Sequence, residues 1–333
     1  MNRKIRWGLL GAGKILDRWM KGARQIEDME IVVVASRTRE RAAKTAEKFQ
    51  IPEALTYEEM LVRKDIDVVY IPVPHTAHMD LAIKAMEAGK SVLVEKPAGI
   101  NVQQWEKMTE CARKNQVFLM EAVWTRFFPL IKEIEAHLKD IGDVRVVSTN
   151  FSFRNDEMDS RLMDPNRAGG SLLDVGVYDL HFTKMILKKD PILLSGVASM
   201  DTDEHHLQVD EQAAWIAQYD KGELGLMCSA IRTDMIDTAY IYGTKGHMII
   251  PQFWKPWQLQ LTVGDKVETI ECPVPQKIAG IEDEGYQFEI AHVNQCIREG
   301  IKESPVMTWE ETASILKQCD MLRKQWGLKY PQD

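Results

Sequence analysis

The chain predicts an α/β protein in two parts: a doubly wound parallel sheet, then an α+β region built on a large, mostly antiparallel sheet. Three observations carry that prediction. Apolar runs of strand length alternate with amphipathic helical stretches through the first third of the sequence, a glycine turn joins the first run to the first helix, and β-rich runs crowd the second half. The boundary falls at the end of the last alternating unit, giving a first part over 1–123 and a second over 124–333. The amphipathic helices after Gly285 and over 308–325 are expected to pack back on the first part.

Taken in order, Ile5-Arg6-Trp7-Gly8-Leu9-Leu10-Gly11-Ala12-Gly13-Lys14-Ile15-Leu16 reads as strand, glycine turn and helix start, the entry to a Rossmann-type βαβ unit. Gly11 permits the tight turn. Gly13 lets a pyrophosphate approach the backbone, and the amides of Lys14 and Ile15 open a helix whose N-terminus favours an anion. Leu16 stands where the full fingerprint has its third glycine. A second strand over 30–36 closes the unit and ends at Ser36, where an NAD binder would place an acidic residue. A carboxylate there repels a 2′-phosphate, whereas Ser36, Arg37 and Arg41 would bind one, so the cofactor is expected to be NADP(H), with NAD possible. Arg39 reads equally well as the solvent-facing start of a helix over 42–49.

Helix from Tyr57, strand over 67–71, helix over 79–87 and strand into Glu95 continue the alternation. The 67–71 strand runs out into Pro72, Pro74, His75 and His78, which stand on the ligand side of such a sheet. The histidines fit cofactor contacts or turn caps. Ser91-Val92-Leu93-Val94-Glu95-Lys96-Pro97 is a strand that ends abruptly in a carboxylate, an ammonium and a proline, delivering Glu95 and Lys96 to the sheet edge. A helix over 102–114 and a strand over 117–121 lead into Ala122-Val123-Trp124-Thr125-Arg126-Phe127-Phe128-Pro129. In that cluster Trp124 and Arg126 are placed to line the cleft, while Phe127 and Phe128 read as core.

The second half alternates like strands over 144–148, 213–219, 225–231, 239–242 and 259–263, with a helical stretch over 171–187 that puts Asp174 and Tyr178 on one face, four residues apart. A broad sheet with one uncovered face would need a partner. With 333 residues, 45% of them hydrophobic, the chain can bury a core in each part, and a net charge of −8 argues against nucleic acid or an anionic membrane surface as partner. No apolar run reaches membrane-span length and the N-terminus leads straight into a strand, so a cytoplasmic location is expected. The five cysteines are dispersed, most of them read as reduced and buried, and no spacing suggests a metal site; His205-His206 reads as a solvated polar loop.

Gly11-Ala12-Gly13, Glu95-Lys96-Pro97, the 120–129 cluster and Gly169-Gly170-Ser171-Leu172-Leu173-Asp174-Val175-Gly176-Val177-Tyr178 together resemble the glucose–fructose oxidoreductase / inositol dehydrogenase (Gfo/Idh/MocA) family, and within it the branch of dihydrodiol and NADP-dependent D-xylose dehydrogenases. The resemblance runs nearly end to end, including Gly285-Tyr286-Gln287-Phe288-Glu289 and Trp326-Gly327-Leu328-Lys329-Tyr330-Pro331. It implies a cis peptide at Lys96-Pro97, Lys96 and Tyr178 beside the nicotinamide, and dimers paired through the large sheet. Many relatives carry histidine at the position of Tyr178, and tyrosine there excludes a plain inositol dehydrogenase by motif.

The chemistry that follows is hydride transfer between NADP(H) and a sugar, polyol or cyclic diol. A free phenol has a pKa of about 10 and is a poor base near neutrality, but a neighbouring ammonium favours phenolate. Lys96 is therefore expected to polarise Tyr178, Tyr178 to exchange the proton with the substrate oxygen, and Asp174 to orient the substrate or the lysine. Trp124, Phe153 and Trp254 would form apolar walls. Two other functions compete: a dinucleotide-binding regulator, which would need neither Lys96 nor Tyr178, and a transferase or NAD-assisted glycosidase that keeps its cofactor bound.

Overall fold

The computed structural model describes residues 3–157, 160–200, 208–274 and 284–333; His205-His206 lies outside them. Contacts divide the chain into two compact units. The first holds Met1–Gly99, Gln103–Phe127 and Val274–Thr312, and the second Ile100–Val102, Phe128–Pro273 and Ala313–Asp333.

The first unit opens with β1 (Ile5–Leu10), α1 (Leu16–Ala23), β2 (Met29–Ser36) and α2 (Arg39–Phe49). There follow β3 (Ala54–Thr56), α3 (Tyr57–Leu61), β4 (Val68–Ile71), α4 (His78–Glu87), β5 (Ser91–Glu95), α5 (Val102–Asn115) and β6 (Leu119–Ala122). The six strands form one parallel sheet in the order β3-β2-β1-β4-β5-β6. In that doubly wound order the succession of strands reverses between β1 and β4, which opens a crevice outside their carboxyl ends. The central strands are buried on both faces: Val68, Val69, Tyr70 and Ile71 are all inaccessible, as the continuous apolar runs require. Helix α2 starts three residues earlier than the sequence reading because the Thr38 side chain accepts from the Arg41 amide at 3.3 Å, and α3 is set by a reciprocal capping box between Thr56 and Glu59.

In the second unit come α6 (Pro129–His137), β7 (Val144–Ser152), a π-helical turn over Leu172–Gly176, and α7 (Val177–Leu187). The strands β8 (Leu193–Met200), β9 (Asp210–Gln218), β10 (Leu224–Ala230), β11 (Thr238–Gly243), β12 (Gly246–Pro251), β13 (Gln258–Val263) and β14 (Lys266–Glu271) complete an eight-stranded sheet. Its order is β14-β13-β12-β11-β7-β10-β9-β8, antiparallel except for the β7–β10 pair. The chain closes with α8 (Tyr286–Arg298), which belongs to the first unit, and α9 (Trp309–Trp326). The sequence reading missed β3, β8, β12 and β14, and treated the π turn and α7 as one helix.

Alternation along β9 buries Ala213, Trp215 and Ala217 on one face and turns Ile216 out on the other. Gly176 allows the π turn to press on the inner face, since a Cβ there would stand 3.0 Å from the Trp215 ring and 3.1 Å from Ser229 Oγ. The inaccessible Asp210 carboxylate fixes the start of that turn, accepting from the Leu172 amide at 2.6 Å and from Ser171 Oγ at 3.0 Å. Burial outweighs these two donors and pushes its pKa up to about 6, so the group remains mostly ionised at pH 7.

The five cysteines are free thiols, but only Cys296 and Cys319 are buried, fewer than expected, because Cys111, Cys228 and Cys272 sit on half-exposed helix, strand and strand-end positions. Among the described residues no group of side chains could hold a metal ion, and no helix is long and apolar enough to cross a membrane.

Candidate active site

At the carboxyl end of β1, Gly11 adopts φ +147°, a conformation that favours glycine. Gly13 is constrained by the protein's own backbone, because a Cβ on it would lie 2.3 Å from the Pro72 carbonyl oxygen at the end of β4. The glycine turn is therefore shaped by the neighbouring strand before any ligand binds. Arg41 bends over it, donating from Nη2 to the Ala12 carbonyl at 3.2 Å.

Ser36 ends β2 and is buried, and Arg37 is exposed beside it. Register pairs Ser36 with Thr56 across β2 and β3, which brings in a side chain that the sequence reading gave no site role: the Tyr57 phenol lies among Ser36, Arg37 and Arg41. Burial raises its pKa and the two guanidiniums oppose the rise. Arg39 points elsewhere, to a surface ion pair with Glu59. Lys14 is exposed at the start of the turn and Ile15 is the helix N-cap, with no side-chain cap on the α1 amides.

Glu95 ends β5 and Lys96 follows it, and the Lys96-Pro97 peptide is cis, as the family resemblance implied. Glu95 is held by a second residue that the sequence reading overlooked, since Tyr70 on β4 donates its phenolic hydrogen to Glu95 Oε1 and stacks its ring on Trp19 at 4.4 Å. The other Glu95 oxygen accepts the Lys96 amide at 3.2 Å. His75 starts a short 3-10 turn after Pro74 and is buried, with its ring 5.8 Å from that of His78.

His78 is inaccessible and works as a strut. Nδ1 lies 2.8 Å from the Pro97 carbonyl and Nε2 2.9 Å from the Val73 carbonyl, so the loops after β4 and β5 meet on one ring. A neutral imidazole has a single N–H and can donate to only one of these acceptors. Burial nonetheless dominates and pushes its pKa down to about 4.

Trp124 and Arg126 are enclosed within the first unit. Trp124 is 2% exposed, stacked on Tyr286 at 4.1 Å with the Arg18 guanidinium 5.3 Å from its ring centroid. Arg126 Nη2 donates to the Val306 carbonyl at 2.9 Å and pairs with Glu311 at 3.1 Å.

In the second unit Asp174 and Tyr178 are buried on the π turn and the first turn of α7. Arg161 Nη2 donates to Asp174 Oδ1 at 2.8 Å, an arginine the sequence reading did not single out. The aromatic wall at Tyr178 is made by Phe151, which stacks on Trp254 at 4.9 Å with a 4° interplanar angle and meets Tyr178 edge-on at 5.3 Å. Phe153, the phenylalanine chosen from sequence, lies just past the end of β7 and is half-buried. Both have the same parity, so alternation alone could not separate them.

A glycine turn and an uncapped helix start at the reversal point of a 3-2-1-4-5-6 sheet, with a lysine just past the end of the next strand, β5, define a dinucleotide-binding unit. Family comparison gives the same class. Residues 5–123 match the oxidoreductase family with the NAD-binding Rossmann fold, residues 136–249 match the GFO/IDH/MocA C-terminal domain, and the chain belongs to this family.

Over 99% of both chains it is 34% identical to the trans-1,2-dihydrobenzene-1,2-diol dehydrogenase of Mus musculus, and 33% identical to that of Homo sapiens. Among solved structures, the 3-ketoreductase KijD10 of Actinomadura kijaniata, in complex with NADP and TDP-benzene, superposes with a TM-score of 0.85 at 22% identity, covering 97% of this chain and 98% of that one. The aldose-aldose oxidoreductase of Caulobacter crescentus, complexed with glycerol, gives 0.84 at 23% identity over 97% of each chain.

The His78 environment sets a pH dependence of stability. The ring stays neutral in the fold down to about pH 4, while the unfolded chain takes up a proton below its ordinary value of 6.5. Stability from this group is present above pH 6.5 and is lost as the pH falls toward 4, by on the order of 3 kcal/mol. Urea unfolding of the wild type and His78→Gln across that range should show the wild type losing this much more than the variant; parallel curves would refute the assignment.

Proposed function

We propose that the chain is an NADP-dependent dehydrogenase that oxidises a secondary alcohol of a cyclic diol, sugar or polyol, and reduces the matching carbonyl in reverse. The full-length similarity to the dihydrodiol dehydrogenases carries this reading. Support for the phosphorylated cofactor comes from the end of β2, where a serine and two arginines surround the space in which a carboxylate would select NAD. When bound, the dinucleotide supplies the hydride acceptor or donor.

The chain's own residues do the rest. Tyr178 takes the proton from the substrate hydroxyl during oxidation and returns it to the carbonyl oxygen during reduction. Lys96 is the ammonium that favours the phenolate, and Glu95, held by Tyr70, steadies the strand end that carries it. Asp174, fixed by Arg161, accepts a hydrogen bond from a second substrate hydroxyl. The Trp254–Phe151 stack supplies the apolar wall.

A homodimer paired through the eight-stranded sheet belongs to the same reading. The outward face of that sheet exposes Val197 at 72%, Ile216 at 53% and Leu226 at 41%, an apolar surface of the kind that a second copy covers. We place the enzyme in the cytoplasm, in keeping with its free thiols.

Turnover should be seen with NADP+ and a cyclic trans-diol, and Tyr178→Phe should lower kcat by about 10²-fold or more while the Kd for NADP+ stays near wild type. Unchanged turnover would remove the tyrosine from this role. In Arg37→Ala the Kd for NADP+ should rise by about tenfold or more and that for NAD+ should hardly move, as titration of each cofactor would show. Equal losses would contradict the phosphate site. Ile216→Asp should convert a dimer to a monomer in sedimentation velocity, and a monomeric wild type would sink the dimer.

A further inference from the structure

One carboxylate in the second unit has no part in the chemistry above, yet it holds the aromatic wall together. Asp237 lies just before β11. Its Oδ2 accepts the Trp254 indole N–H at 3.1 Å and its Oδ1 accepts the Ser152 amide at 2.9 Å, so a single side chain ties the end of β7 to the turn after β12. The Asp237 carbonyl also accepts the Gln252 amide at 2.7 Å. Gln252 takes a left-handed conformation, φ +48°, and this turn sends Phe253 into the core while leaving Trp254 half-exposed.

The consequence runs through ring contacts. Trp254 is parallel to Phe151 at 4.9 Å, and Phe151 meets the Tyr178 ring edge-on at 5.3 Å. Stacking holds the two planes together but resists in-plane sliding only weakly, because offset arrangements are nearly equal in energy. A charge-assisted hydrogen bond to the indole N–H removes that freedom. The stack beside Tyr178 thus has a fixed orientation, with the Lys255 ammonium 5.0 Å from the Trp254 ring centroid.

We propose that Asp237 is a positioning residue that sets the plane of Trp254 against Phe151 and so makes the site favour ring-shaped over open-chain substrates. A ring presents a rigid apolar face that a flat wall can cover at once. An open chain must first lose rotor freedom to offer the same contact. The proposal rests on Tyr178 being the acid/base group.

The test compares a cyclic trans-1,2-diol with an open-chain vicinal diol of equal carbon number, in wild type, Asp237→Ala, Asp237→Asn and Trp254→Phe, and in the double variant of Asp237→Ala with Trp254→Phe. Asp237→Ala should lower the cyclic-to-open-chain ratio of kcat/KM about tenfold, through KM, the size expected for loss of one charged hydrogen bond. Asp237→Asn, which keeps one acceptor oxygen for the two N–H donors of Ser152 and Trp254, should lower the ratio by no more than Asp237→Ala does. Once Trp254 is phenylalanine, removal of Asp237 should change the ratio by less than about twofold, since the two residues act as one unit. An equal loss on both substrates, or an undiminished effect without Trp254, would overturn the proposal.

If the wild type turns over neither diol, the acid/base reading of Tyr178 fails and the wall is read directly. Quenching of the Trp254 emission, taken as the difference between wild type and Trp254→Phe, by catechol as a flat probe should then give a Kd that rises about tenfold in Asp237→Ala. An unchanged Kd would overturn the positioning role.

Discussion

The dinucleotide-binding unit depends on the approach of two strand ends. Gly13, in the turn after β1, lies so close to the Pro72 carbonyl after β4 that any side chain at 13 would meet backbone at 2.3 Å. Neither strand can retreat, because each is buried on both faces and paired to neighbours in a parallel sheet. The crevice at the reversal of strand order is therefore narrow and fixed before a ligand arrives. His78 extends the same constraint sideways by meeting Val73 and Pro97 carbonyls with one ring, which links the β4 and β5 ends.

Charge at that crevice is controlled by partners buried behind it. Glu95 would be costly at the end of an apolar strand without a donor, and Tyr70, whose pKa burial drives well above its ordinary value, stays protonated and supplies one. Arg41 is held toward the glycine turn by a backbone carbonyl, so part of the ordering cost of gripping an anion is met in the free protein. The second unit uses the same device. Asp210 anchors the π turn from beneath through Leu172 and Ser171, Arg161 fixes Asp174 from above, and the Trp254–Phe151 stack abuts Tyr178. Each candidate functional group in that unit is oriented by a neighbour outside its own helix.

Much of the fold was legible because its signals are local. The two-part α/β organisation, the glycine turn, and the carboxylate and lysine at the end of β5 all follow from runs of a few residues. The strands that escaped reading have physical reasons for doing so. β3 has three residues, too few for a period, and β14, Lys-Val-Glu-Thr-Ile-Glu, is exposed along nearly its whole length and exists by pairing with β13. Arg39 and Arg41 look alike in sequence, yet one finds Glu59 and the other the Ala12 carbonyl.

By itself, then, the sequence determined the strand and helix order, the turn that only glycine can make, and which residue types arrive at strand ends, since hydrophobic period and backbone sterics act within a few residues. Tertiary structure alone decided which groups those residues meet. That Phe151 and not Phe153 joins Trp254, that Tyr57 sits with Ser36 and the arginines, and that Asp237 ties the indole to β7 depend on register between strands far apart in the chain. Such contacts are set by how the whole sheet packs, and no local pattern encodes them.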